Sequence, residues 1–301
     1  MITTIADLVK RATTLPTKTL VVACAADEHV LEAVEEARKK DIIRPILIGD
    51  KDAIATILSN LTDDLDSYQI HHQPDDEQAC IDAVRLVHDH ADYFLMKGLV
   101  GTSTILRAAL DKEYGLRTKN RISHVSVMEV PTHPKLLYMS DGAMNIAPTL
   151  DEKRQIIENS VKIAHALGND NPHVGIIAAV EKINPKMDAT LDAEQLVAMN
   201  KNGTITGCTV GGPFAIDNAI NKQAALHKGI TDPIAGDVDI LVMPRIEAGN
   251  VFYKTMMFLA NAKSASVIAG ATRPIVLTSR ADSMDSKFYS IALGALVLEL
   301  R

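Results

Sequence analysis

The chain has 301 residues, 47% of them hydrophobic and 23% charged, with a net charge of −7 and no Lys/Arg-rich run. That length and composition fit one large or two smaller α/β domains around buried cores, and the acidic balance argues against a nucleic-acid or anionic-membrane partner. A local basic pocket for an anionic substrate stays open.

Cys24, Cys80 and Cys208 are widely separated, with neither a disulfide framework nor zinc spacing, and read as small buried thiols in a reducing compartment. The histidines show no metal-ligand pattern, so no metal is expected. The first eleven residues lack a signal-peptide core and no apolar run reaches membrane length, so the expected location is cytoplasmic.

In chain order, the periodicity predicts a short helix over 7–13, a buried strand over 19–25 and a helix from Asp27-Glu28 to Lys40. Strands over 44–48, 68–72 and 93–96 then alternate with helices over 52–59, 75–90 and 102–114. This alternation indicates a doubly wound parallel sheet. From about Arg121 the pattern changes: strands over 122–130 and 136–139 flank Pro131-Thr132-His133-Pro134 and read as a hairpin-like pair. A long helix over 150–167 follows, then strands over 174–180, 205–210, 240–243 and 265–269, with helices over 192–199, 217–227 and 251–261 between them.

The most informative stretch is Pro274 to Asp285. There a β-branched run enters Ser279-Arg280-Ala281-Asp282-Ser283, ahead of a helical pattern over 288–300. A turn at that position faces amides that lack intrahelical partners and the positive end of a helix dipole, which together favour an anion. Asp282 or Ser283 can also serve simply as a cap, and Arg280 as a surface charge.

The same strand–polar turn–helix construction recurs. Lys97-Gly98-Leu99-Val100-Gly101-Thr102-Ser103-Thr104 leads into a helix bearing Arg107, with Gly98 and Gly101 allowing close approach of a ligand and Thr102 and Ser103 supplying hydroxyls. Ser140 to Asn145 precedes the long helix, and Gly211-Gly212-Pro213 precedes Asp217. Pro244 to Asn250 precedes a helix with Tyr253 and Lys254. Arg107, Lys254 and Arg280 read as cations near helix N-termini, a placement that makes sense with an anion between them. The alternative is plain turn chemistry, with Lys97 a solvated stem.

These motifs resemble the phosphate acetyltransferase/phosphate butyryltransferase family, and most of all its phosphate butyryltransferase branch. The resemblance rests on 97–107, 140–145, 212–219, Pro233 to Asp237, Glu247 to Lys254 and Thr278 to Asp282, within a similarity running from about Thr19 to the C-terminus. It implies two doubly wound α/β lobes with a cleft between them, isocitrate/isopropylmalate dehydrogenase-like. Residues 1–120 and 270–301 would form the N-terminal lobe, and 121–269 the inserted second lobe. It also implies a homodimer or higher homo-oligomer that interconverts acyl-CoA plus inorganic phosphate with acyl phosphate plus coenzyme A. Coenzyme A is then a substrate, with no permanently bound cofactor, and butyryl-CoA is the favoured acyl donor.

By the same resemblance, Ser279 and Arg280 contact the reacting carbonyl and phosphate, with Ser279 as oxyanion donor, and Arg107 helps bind phosphate. Thr102, Ser103, Gly101, Asn145, Asn250 and Lys254 are secondary lining groups. Two positions depart from the acetyltransferase branch. Gly142 stands where that branch has a cysteine, which excludes a covalent acyl-cysteine there and points to direct displacement in a ternary complex. Ser286 stands where it has a base carboxylate, so the base is Asp285, with Asp282 as the nearby alternative. Rival readings are an acetyl- or propionyltransferase, a non-catalytic acyl-CoA-binding protein, and a dehydrogenase of the same fold.

Overall fold

The computed structural model of the chain describes residues 1–279 and 281–299. It divides into two compact units, a terminal unit of Ile5–Asn120 with Ser264–Arg301 and a middle unit of Met1–Thr4 with Arg121–Lys263. One crossing lies between Asn120 and Arg121. The return crossing lies at 263/264 rather than at 269/270, because the strand beginning at Lys263 pairs onward with the C-terminal segment and the Ser266 amide donates to Ser290 Oγ. The first four residues join the middle unit, where the Ile2 amide donates to the Leu167 carbonyl.

The terminal unit opens with α1 (Ile5–Ala12), β1 (Lys18–Ala23), α2 (Glu28–Lys39), β2 (Ile43–Gly49), α3 (Lys51–Leu58), β3 (Gln69–His72), α4 (Asp76–Asp89), β4 (Tyr93–Lys97) and α5 (Thr102–Ala109). Aspartates start three of its helices: Asp27, Asp50 and Asp75 each accept a first-turn amide, as acidic N-caps do. The middle unit contains β5 (Ser123–Glu129), β6 (Leu137–Ser140), α6 (Leu150–Ala166), β7 (His173–Ile177), α7 (Asp188–Lys201), β8 (Thr209–Phe214), α8 (Ile216–Ile220), α9 (Lys222–His227), β9 (Ile240–Val242) and α10 (Ile246–Phe258). The chain then returns through β10 (Lys263–Ala269), β11 (Ile275–Val276) and α11 (Met284–Glu299).

The terminal unit's strands run in the order β3-β2-β1-β4-β11-β10, parallel except that β10 is antiparallel to β11. Its α11 is buried along almost its whole length, from Ser286 to Leu298, and packs against α1 and α2. A helix that is apolar all round must be covered on every side, which is why the C-terminal segment folds into the first unit. The middle unit's order is β5-β6-β9-β7-β8, with β5 and β6 antiparallel and the rest parallel.

Several predicted boundaries move for identifiable reasons. The helix expected over 102–114 stops at Ala109, because Asp111 Oδ1 takes the amides of Glu113 and Tyr114. The helix expected over 217–227 breaks at Asn221, which turns extended and caps Ala224 with its side chain. Residues 205–208 stay outside β8, where Asn200 Nδ2 donates to the carbonyls of Ile205 and Cys208. Gly211-Gly212-Pro213 therefore lies within a strand rather than at its exit. The last helix begins at Met284, since Ser283 Oγ accepts the Ser286 amide. Among the described residues no helix is long and apolar enough to cross a membrane.

A buried ionic cluster stabilises the terminal unit. Glu35, 4% exposed, accepts from Arg38 Nε at 2.6 Å and from the Tyr68 hydroxyl at 2.5 Å. Burial pushes its pKa up, but the hydrogen bonds from Arg38, Tyr68 and Lys39 outweigh this and hold it at about 2. A carboxylate whose pKa falls on folding adds stability above its unfolded pKa, near 4.3, and loses it as pH drops through about 2. Glu35→Gln should therefore cost ~2–3 kcal/mol at pH 7 and flatten the acid side of the stability curve, measured by urea midpoints from pH 7 to pH 2.5.

Candidate active site

Strands β4 and β11 are parallel neighbours, with Leu95 opposite Ile275 and Met96 opposite Val276. Their polar exits therefore leave the same end of the sheet roughly 4.8 Å apart, the end where open α/β sheets bind ligands. At the β4 exit Lys97 is buried, and its ammonium donates to the carbonyls of Gly98 and Val100 at 3.1 and 3.3 Å. It is not a solvated stem. Gly98 donates its amide to Ala23 O, and a Cβ there would sit 2.2 Å from Cys24 O. Its glycine thus serves close packing on β1 rather than ligand approach. Gly101 is the N-cap of α5 and has no side chain to satisfy the first amides, beside the exposed Thr102 and Ser103.

Arg107 departs from expectation. Because α5 is only eight residues long, Arg107 falls in its last turn, where the helix dipole already favours a cation. Its exposed guanidinium pairs with Glu77, on the first turn of α4, at 3.2 Å. That surface pair is worth at most ~1 kcal/mol, so an anionic ligand can displace it.

At the β11 exit the Ser279 amide donates to Asp282 Oδ2 at 2.7 Å, and Ser279 Oγ accepts the Ala281 amide at 3.3 Å. Arg280 lies outside the described residues. Beneath the turn, buried Lys287 donates to the carbonyls of Ser279 and Asp282 at 3.2 and 2.6 Å. Lys287 was not among the sequence candidates; a lysine just ahead of the apolar run 288–298 was the available signal. Ser279 and Asp285 are both exposed, Asp285 in the first turn of α11, whereas Asp282 is tied to the Ser279 amide.

The middle unit places its candidates differently. Asp141, 3% exposed, accepts the Ala143 and Met144 amides on Oδ1, and the His124 amide and Asn145 Nδ2 on Oδ2. Asn145 is equally buried: its Nδ2 also donates to Ile122 O, and its Oδ1 accepts from Arg121 Nε at 2.7 Å. With its polar atoms engaged, Asn145 braces the turn. Strands β6 and β9 are parallel neighbours, and α10 begins earlier than predicted, carrying Asn250 on the helix, where it donates to Gly142 O at 3.2 Å. Lys254 is exposed at mid-helix, away from the N-terminal turn. Gly142 and Gly249 meet backbone to backbone: a Cβ on Gly142 would lie 2.9 Å from Gly249 C, and one on Gly249 would lie 2.3 Å from Asp141 O. Asp217 is held low by Lys228, its exposed ion-pair partner at 2.9 Å.

A sequence model of the phosphate acetyl/butaryl transferase family matches residues 75–295. The chain belongs to that family. It is an acyltransferase, similar to a phosphate butyryltransferase of Clostridium acetobutylicum, with 46% identity over 99% of both chains. It is also 46% identical to a phosphate acetyltransferase of Thermotoga maritima, over 93% of this chain and 95% of that protein. Among solved structures, a branched-chain phosphotransacylase from Enterococcus faecalis V583 superposes with a TM-score of 0.83 at 32% identity, covering 94% of this chain and 99% of that one. A putative 4-hydroxythreonine-4-phosphate dehydrogenase from Salmonella typhimurium shares the fold at a TM-score of 0.59 and 12% identity, over 93% and 99% of the two chains. The α/β fold class expected from the sequence is the one found.

Two substitutions test the local architecture. Lys287→Met should remove the ammonium bound to two turn carbonyls and lower thermal stability by ~1–3 kcal/mol, with a larger proportional loss of turnover. Gly249→Ala should destabilise the middle unit by about 1–3 kcal/mol through overpacking against Asp141 O, seen as a lower urea midpoint.

Proposed function

We propose that the chain interconverts a short-chain acyl-CoA, butyryl-CoA by preference, plus phosphate with acyl phosphate plus coenzyme A, by direct displacement in a ternary complex. The observation that carries the reading is the emergence of the β4 and β11 polar turns side by side, on a chain belonging to a phosphate acyltransferase family. End-to-end coverage by the Clostridium butyryltransferase supports the butyryl preference.

The chemistry fits these residues. A phosphate oxygen attacks the thioester carbon, the carbonyl oxygen gains charge, and the coenzyme A thiolate leaves. Arg107 and Arg280 neutralise phosphate, with Gly101, Thr102 and Ser103 presenting the first amides and hydroxyls of α5. The Ser279 hydroxyl donates to the oxyanion as charge develops. In the reverse direction a carboxylate must take the thiol proton, since a thiol with a pKa near 8.5 is mostly protonated at neutral pH. Asp285 is assigned that role, because Asp282 already holds the Ser279 amide. Asn250 and Lys254 are retained as coenzyme A contacts.

Direct displacement is supported by Gly142, whose position has no room for a side chain against Gly249. The described cysteines are all buried, and burial pushes the Cys208 thiol up to about 11. A homo-oligomer is supported by α10 and the residue after it, where Val251, Phe258 and Leu259 are 66%, 69% and 83% exposed. A cytoplasmic location completes the proposal.

Ser279→Ala should lower kcat about 10²–10³-fold, and Arg280→Ala should abolish turnover with the fold intact by circular dichroism. Initial rates across acetyl-, propionyl-, butyryl- and isobutyryl-CoA should give butyryl-CoA the highest kcat/KM; acetyl-CoA in that place would reassign the substrate. Double-reciprocal plots should intersect, and coenzyme A release without phosphate would instead reveal a covalent intermediate.

A further inference from the structure

Two of the three cysteines lie together beneath the β4 exit. Cys24 directly follows β1, and Cys80 sits on α4; their sulfurs are 4.0 Å apart, with Cys80 fully buried and Cys24 6% exposed. Cys24 also occupies a left-handed backbone conformation, with φ of 53°. Its carbonyl accepts the Leu99 amide at 2.8 Å, and it is the atom against which Gly98 packs. The same α4 carries Glu77, the partner of Arg107. The pair therefore joins two supports of one polar turn, and nothing in the reaction uses it.

We propose that Cys24 and Cys80 form a reversible intramolecular disulfide on exposure to a peroxide, and that the bond clamps the β4–α5 turn and suppresses acyl transfer. The thiolate of the pair attacks one peroxide oxygen, the O–O bond breaks, and hydroxide leaves to be protonated as water. The second sulfur then attacks the resulting sulfenic acid, forming S–S and expelling a second water with its own proton. Two thiols and one peroxide thus give one disulfide and two waters.

The sulfurs share one weak hydrogen bond in which either can donate, and Cys24 Sγ also donates to the Asp76 carbonyl at 3.5 Å. The Cys24 thiol is pushed up by its hydrogen bond with Cys80 and by burial, and Cys80 is pulled down by the same bond against its own burial. Bonding requires the sulfurs to close to ~2.05 Å, so side-chain rotation or a shift of α4 toward the end of β1 must supply about 2 Å. A misplacement of about an ångström near a reacting group can cost ~100-fold, so such a shift is enough to control turnover.

The test treats the whole reduced protein with hydrogen peroxide, removes the excess with catalase, and measures three things. Thiols titrated under denaturing conditions should fall from three to one, with peptide mapping finding Cys24 joined to Cys80 and Cys208 free. Hydrogen exchange in the peptide spanning 97–103 should slow. Phosphate-dependent thioester loss should fall about tenfold or more and return with dithiothreitol, while Cys80→Ala should stay active and lose peroxide sensitivity. A count that stays at three, a bond involving Cys208, or an oxidised protein with unchanged exchange or undiminished activity would overturn the proposal. The activity arm rests on the acyltransfer reading. An inactive reduced protein would count against that reading, while mapping and exchange would still decide the disulfide.

Discussion

A strand that ends inside a packed layer leaves its last carbonyls and the next few amides needing partners, and an unmet need there costs about 1–3 kcal/mol per group. Three buried ionic side chains meet it here. Lys97 holds the carbonyls after β4, Lys287 those after β11, and Asp141 the amides after β6. Each uses one charged head to fix several backbone groups, so each turn is set by a single side chain whose removal would free them together.

This arrangement separates the groups that build the turns from those available for chemistry. Within the terminal unit the buried ammonium groups face inward, leaving the Ser279 hydroxyl, the Asp285 carboxylate and the Thr102 and Ser103 hydroxyls exposed. In the middle unit the most polar motif, Ser140 to Asn145, is spent on its own support. Its asparagine and aspartate bond each other, the His124 amide and the Ile122 carbonyl.

Much of the fold was legible because alternating β-branched runs and amphipathic stretches encode parallel strands and covering helices directly. The long helix α6, with its Thr149–Glu152 capping box, starts where the sequence says it should. Boundaries set by a single side chain were less visible. Asn200 and Asn221 each redirect the backbone through side-chain hydrogen bonds, and nothing in their neighbours' periodicity announces it. The polar turns were legible as places but not as roles. Periodicity alone overextends α5 and shortens α10, which puts Arg107 and Lys254 near helix starts, whereas the folded helices end at Ala109 and begin at Ile246. Lys287 was hidden because a charged residue beside an apolar run reads as its solvated edge.

The contact of Gly142 with Gly249 also limits what descendants of this sequence can become. Two main chains touch where any side chain at position 142 would have to stand, and the obstacle is helix α10 itself. A lineage or an engineer wishing to install a thiol at position 142 would first have to move that helix outward, which one substitution cannot do. The turn after β6 is in this sense held to a glycine by its closeness to α10, and enlarging that residue would require a coordinated set of changes.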